Sequence, residues 1–97
     1  MSVNTIDIVV REIPAEVSTL FAELSDEERA HASQLAANRC REWVAWRAVL
    51  REQAERWRLN DSALCVAYAP SGEPLFEGLE GSISVTHSRK VVAVARA

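Results

Sequence analysis

The segment from residue 39 to residue 59 constrains the fold more than any other part of the chain. Its large apolar residues recur every three or four positions, which places them on one stripe of a helix: Trp43, Trp46, Leu50, Ala54 and Trp57. Arg47, Arg51 and Arg58 share a neighbouring stripe. Because three tryptophans bury a large apolar area, this helix is predicted to form the centre of the core.

Two further helices are predicted before the tryptophan-bearing one. Ser25 followed by Glu28 forms the pattern of a capping box, and acidic residues in the first turn suit the helix dipole. This pattern predicts a helix over residues 26–37. A shorter helix is expected within residues 16–24.

The strand predictions come from β-branched segments. Residues 5–10 and 82–86 show apolar alternation, and residues 91–95 form an apolar run after a polar turn, which indicates a hairpin. Residues 64–69 are also predicted to form a strand. The expected fold is therefore α+β, with two helices packed on a small, mostly antiparallel sheet.

Composition and charge exclude several classes of protein. The chain has 97 residues with 48% hydrophobic content, which fits one globular domain or one half of a two-lobed protein. The net charge of −3 argues against a nucleic-acid binder. Cys40 and Cys65 lack metal-site spacing and indicate free thiols in a reducing compartment. With no signal-peptide pattern and no membrane-length apolar run, a cytoplasmic location is expected.

Two short segments could carry chemistry. Residues 86–90 place a threonine, a histidine, a serine and two cations next to each other in a turn, where backbone amides and side chains can bind phosphate. In the loop of residues 71–75, Gly72 and Pro74 permit close approach to a flat ligand. A serine hydrolase is not supported, because no Gly-x-Ser-x-Gly turn is present.

Together, these segments resemble the surfactin-type 4'-phosphopantetheinyl transferase superfamily. Residues 24–29 look like its usual opening, and residues 43–51 are similar to its central helix. Residues 72–74 resemble its Gly-Lys-Pro loop, and residues 83–88 resemble its strand ending in Ser-His-Ser. The resemblance covers roughly residues 24 to 95, with the motifs in the family's order.

The resemblance implies transfer of the phosphopantetheine arm of coenzyme A to a serine of an acyl or peptidyl carrier protein, with magnesium. Arg47 and His87 match residues that hold the coenzyme's phosphates, so we expect both to face one cleft. Thr86 would also face the ligand, and the loop would line its adenine. The implied coenzyme-binding residues are Arg47, Gly72, Pro74, Thr86, His87 and Ser88.

The sequence also departs from the family. Glu73 stands where the loop lysine is expected, and Arg89 stands where glycine is frequent. The metal-binding Asp-x-Glu motif and the Trp-x-x-Lys-Glu motif do not follow the hairpin. The chain is therefore expected to equal one lobe of the pseudo-twofold fold, with magnesium ligands supplied by a second lobe or subunit, and to be inactive in transfer alone.

Three interpretations stay open at this point. The chain is one part of a two-part transferase, a non-catalytic dimeric binding or regulatory module derived from that fold, or an unrelated α+β interaction domain. Val91, Val92 and Val94 cannot all face one side of a strand, so part of the sheet is expected to stay uncovered. A homodimer or a complementary C-terminal lobe would cover it.

Overall fold

The α+β prediction is confirmed by a computed structural model that describes residues 5–97. The domain was predicted to span residues 1–97, and its first four residues lie outside the described part. The elements, in chain order, are β1 (Asp7–Glu12), α1 (Ser18–Ala22), α2 (Asp26–Ala32), α3 (Ala37–Gln53), α4 (Asp61–Leu64), β2 (Ile83–His87) and β3 (Val91–Arg96).

The three strands form one antiparallel sheet in the order β1-β3-β2. The predicted hairpin of β2 and β3 is confirmed, and β1 pairs with the other side of β3. Val94 lies between Val9 and Val85 in the register, and Val92 and Val94 are fully buried. Because side chains alternate along a strand, these valines define an inner face, which α3 covers.

Helix α3 forms the centre of the core, as its sequence predicts. Every residue from 43 to 50 is buried, and the apolar ones pack against β1, β3 and the shorter helices. The helix ends at Gln53, several residues earlier than predicted, and the chain continues in turns in which Arg58 has a φ of 55°. Trp57 remains buried there, and its indole N–H donates to Asp7 Oδ2 at 2.8 Å.

The capping box at the start of α2 is confirmed. The Glu28 backbone N–H donates to Ser25 Oγ at 3.1 Å, and the Ser25 backbone N–H donates to Glu28 Oε1 at 3.0 Å. Helix α2 ends at Ala32, earlier than predicted, where the Ser33 hydroxyl donates back to the Arg29 carbonyl.

The prediction of a strand over residues 64–69 is wrong. Asn60 caps α4 by accepting a hydrogen bond from the Ala63 backbone N–H at 2.9 Å, so Leu64 belongs to a helical turn. The rest of the segment makes one isolated bridge, between Tyr68 and Pro74, and joins no sheet. Leu64 is buried in the core and Val66 packs against it, so the apolar residues of this segment contribute to core packing without forming a strand.

Within residues 5–97, no helix is both long and apolar enough to cross a membrane.

Candidate functional site

The first candidate site is a cleft between the N-terminal half of α3, the end of β2 and the loop of residues 68–74, here called the α3–β2 cleft. It consists of two adjoining hollows of about 200 and 140 Å³. Both hollows are lined by Arg39, Trp43, Trp46, Tyr68 and His87. The cleft therefore combines aromatic walls with side chains that donate hydrogen bonds to anions.

His87 is held in the cleft by Glu42. The Nδ1 atom of His87 lies 2.9 Å from Glu42 Oε2. Because a carboxylate only accepts hydrogen bonds, Nδ1 carries the proton and Nε2 remains available to a ligand. Strand alternation puts His87 on the same face of β2 as Val85, and both line the smaller hollow.

Arg39 is the cation of this cleft that sequence reasoning missed. It is exposed in the first turn of α3, and its side chain pairs with no carboxylate of the described residues within 4 Å. The available signal was its spacing, because Arg39, Trp43 and Trp46 stand at positions i, i+4 and i+7 of one helix face. A free guanidinium at a helix N-terminus suits the binding of an anion. The guanidinium offers a fork of hydrogen-bond donors, and the helix dipole is favourable to negative charge there.

A chain of polar contacts orders the aromatic wall. The Trp43 indole N–H donates to Tyr68 Oη at 2.5 Å, and Tyr68 Oη lies 3.3 Å from His31 Nε2. His31 also stacks on Tyr68, with ring centroids 5.2 Å apart. Burial, and then the charge of Arg47, lower the pKa of His31. His31 is therefore neutral at pH 7, and its Nε2 can accept a hydrogen bond from the Tyr68 hydroxyl.

The Gly72–Pro74 loop closes the second hollow. Gly72 has a φ of 93°, a conformation that favours glycine, and its N–H donates to the Ala69 carbonyl at 2.9 Å. Gly72 and Pro74 both line the cleft with His87, so the structure brings these three predicted residues together. Glu73 lines neither hollow and accepts a hydrogen bond from the Ser71 hydroxyl.

Arg47 does not share this cleft with His87, contrary to the sequence-based expectation. Its side chain is 2% exposed, and its Nε donates to Glu28 Oε2 at 2.6 Å. Its Nη2 donates to the Leu64 carbonyl, and its guanidinium carbon lies 5.3 Å from the ring centroids of Trp43 and Trp46. Arg47 thus ties α2, α3 and α4 together from beneath the tryptophans.

Thr86 and Ser88 also lie outside the cleft lining. Thr86 pairs with Ala93 and, by strand alternation, faces the side of the sheet opposite Val85. Ser88 Oγ accepts hydrogen bonds from the backbone N–H groups of Lys90 at 3.3 Å and of the next residue. Ser88 therefore shapes the hairpin turn. Of the six predicted ligand residues, the structure brings Gly72, Pro74 and His87 together.

No group of three or more His, Cys, Asp or Glu side chains converges anywhere in residues 5–97. Burial alone would raise the pKa of Glu28, but the Ser25 backbone N–H and then Arg47 and Arg51 outweigh it and lower the pKa. The negative charge of Glu28 is therefore paired with two arginines.

No protein-family model matches this chain, and no curated protein or solved structure matches it significantly. The resemblance to phosphopantetheinyl transferases stays a prediction that depends on the motifs and on the cleft they form.

Proposed function

We propose that this chain is the coenzyme A-binding lobe of a 4'-phosphopantetheinyl transferase. The observation that carries the proposal is the α3–β2 cleft, where Arg39 and His87 stand beside aromatic rings and the Gly72–Pro74 loop. A cleft of this kind suits a nucleotide, because the phosphates of a nucleotide need hydrogen-bond donors and its flat base needs aromatic surfaces. Its volume lies near the lower end of the range for ligand pockets, about 300–1,000 Å³.

Each part of the cleft has a role in this proposal. Arg39 offers a rigid fork of donors to a phosphate, and His87, oriented by Glu42, adds a donor at Nε2 in its cationic form. Tyr68, which is 38% exposed, offers a surface on which adenine can stack, and the buried Trp43 holds it through a hydrogen bond to its hydroxyl. Arg39 replaces Arg47 as the phosphate-binding arginine, because the Arg47 guanidinium is already bound to Glu28 and Leu64.

Transfer to an acyl or peptidyl carrier protein requires more than this cleft. We assign the magnesium ligands to a second lobe or subunit, as the resemblance implies. Phosphoryl transfer depends mainly on metal ions and positioning, so the lobe is proposed to bind the coenzyme without transferring its arm. Two free cysteines support a reducing compartment and hence the cytoplasm.

Titration calorimetry with coenzyme A tests the proposal. The chain is expected to bind, and Arg39→Ala is expected to weaken binding about tenfold or more, since a hydrogen bond to a charged group contributes about 1.5–3 kcal/mol. Arg58→Ala is the matched control, because Arg58 is exposed and lines neither hollow. No heat of binding with the wild-type chain, or equal losses for the two variants, would contradict the coenzyme site.

The second candidate function is a dimeric binding module, and the outer face of the sheet favours it. Ile8 and Val10 of β1 are 61% and 55% exposed. Ala95 and Ala93 of β3 pair with them in the register and share that face. Exposed apolar surface of this kind usually meets a partner.

We expect a twofold homodimer formed through this outer sheet face when no complementary lobe is present. Light scattering at micromolar concentration should then give twice the 10.8 kDa mass of one chain. Ile8→Glu should restore the monomer, because it places a charge in the apolar contact, whereas Glu55→Lys, a charge change on an exposed residue outside that face, should not. A single-chain mass that stays constant on concentration would exclude the homodimer and leave a hetero-partner.

A further inference from the structure

A second groove runs along α3 on the side away from the α3–β2 cleft, and the two share no lining residue. It consists of two hollows of about 330 and 390 Å³ that share Glu12 and Ile13 in their walls. The first hollow, between β1, α1 and α3, has an apolar floor. Leu20, Ala45, Ala48 and Val49 line it, and the short alanine side chains leave room for apolar groups of a ligand.

The second hollow of this groove is basic. Arg41, Arg89 and Lys90 line it together. None of these three cations pairs with a carboxylate of residues 5–97 within 4 Å, whereas Arg29, Arg47, Arg51 and Arg56 all do. Arg41 is held in place, because its Nε and Nη2 atoms both donate to the Pro14 carbonyl at 3.3 Å.

The acidic residues of the groove do not cancel this charge. Glu52 faces Arg11 at 3.6 Å across the apolar hollow, so these two charges offset each other. Glu12 remains against the three cations of the basic hollow. The groove therefore carries a positive charge, although the net charge of the protein is −3. The local electrostatic field of the groove is thus opposite in sign to that of the protein as a whole.

We infer that this groove docks an acidic amphipathic helix of a partner protein. The apolar hollow would receive the apolar side chains of that helix, and the three cations would meet its carboxylates. Arg41 and Glu52 mark the two ends of the groove on α3, which are about 16 Å apart at the rise of an α-helix. That length matches three turns of a docked helix.

The geometry favours a helix over a small anion. The three cations line the hollow at one end of an apolar one, so a small anion bound among them would leave the apolar hollow exposed. The inference is independent of the coenzyme proposal, since the two sites differ in every lining residue.

Fluorescence polarisation with three labelled peptides of about 18 residues, or five helical turns, tests the inference. One carries leucine on one face and glutamate on the other, the second has lysine in place of glutamate, and the third has serine in place of leucine. Only the first should bind the full chain, and its binding should weaken as sodium chloride is added. Arg89→Glu with Lys90→Glu should reduce its affinity about tenfold or more.

Arg58→Glu serves as the control for the charge reversal and should leave the peptide affinity unchanged. Circular dichroism of both charge-reversal variants checks that they remain folded. The inference is overturned if the leucine–glutamate peptide does not bind, or if the serine–glutamate peptide binds equally well. It is also overturned if sodium phosphate displaces the peptide more strongly than chloride at matched ionic strength, because that result indicates a small-anion site.

Discussion

Replacing Glu28 by alanine is expected to lower the free energy of unfolding by about 3–5 kcal/mol, a large part of the 5–15 kcal/mol typical of a small domain. The Glu28 side chain is fully buried and holds Arg47 Nε at 2.6 Å and Arg51 Nη2 at 2.5 Å. Its loss leaves the Arg47 charge buried without a counter-ion and also removes half of the capping box. Urea denaturation followed by circular dichroism measures the change.

Two further variants separate the buried charge from other effects. Glu28→Gln keeps the shape and one acceptor oxygen, so it should destabilise the protein less than alanine does. Asp26→Ala removes the exposed ion pair with Arg29 on the same helix and should change stability little. If Glu28→Ala and Asp26→Ala had equal effects, Glu28 would act only at the helix terminus, and the buried ion pair would contribute nothing measurable.

Local patterns of the sequence predicted one role of Glu28 and missed the other. The capping box needs residues only three apart, so Ser25 and Glu28 could be recognised in sequence. The ion pairs join Glu28 to arginines 19 and 23 positions away. Such pairing depends on how α2 packs against α3, which no short pattern records. The sequence therefore did not show that Arg47 is buried against Glu28, and Arg47 was predicted to bind a ligand instead.

Only part of the candidate site could be predicted from the sequence. Gly72, Pro74 and His87 could be predicted to lie close together, because the resemblance depends on the motifs that contain them. Arg39 lies on the helix face of Trp43 and Trp46, but sequence alone did not show which face of α3 meets the sheet and which borders the cleft. Alternation along β2 could have excluded Thr86, since it faces away from Val85.

Trp43→Ala is expected to lower the free energy of unfolding by about 3–5 kcal/mol and to open the α3–β2 cleft. The Trp43 side chain is 6% exposed, and its ring packs 4.7 Å from His31 and 5.6 Å from Trp46, centroid to centroid. The substitution removes a large buried ring, the cover of the Arg47 guanidinium and the donor to Tyr68. Circular dichroism during urea denaturation gives the stability change without relying on tryptophan fluorescence.

Trp43→Phe separates the contribution of ring packing from that of the indole hydrogen bond. Phenylalanine keeps most of the apolar packing but cannot donate to Tyr68 Oη, so its cost should be well below that of alanine if packing dominates. Trp57→Phe is the matched control, because Trp57 is also buried and also donates through its indole, yet it lies away from the cleft. Only the Trp43 variants should then reduce coenzyme A binding. Equal destabilisation by Trp43→Phe and Trp43→Ala would show that the indole N–H, and not the ring, is the main contribution of Trp43.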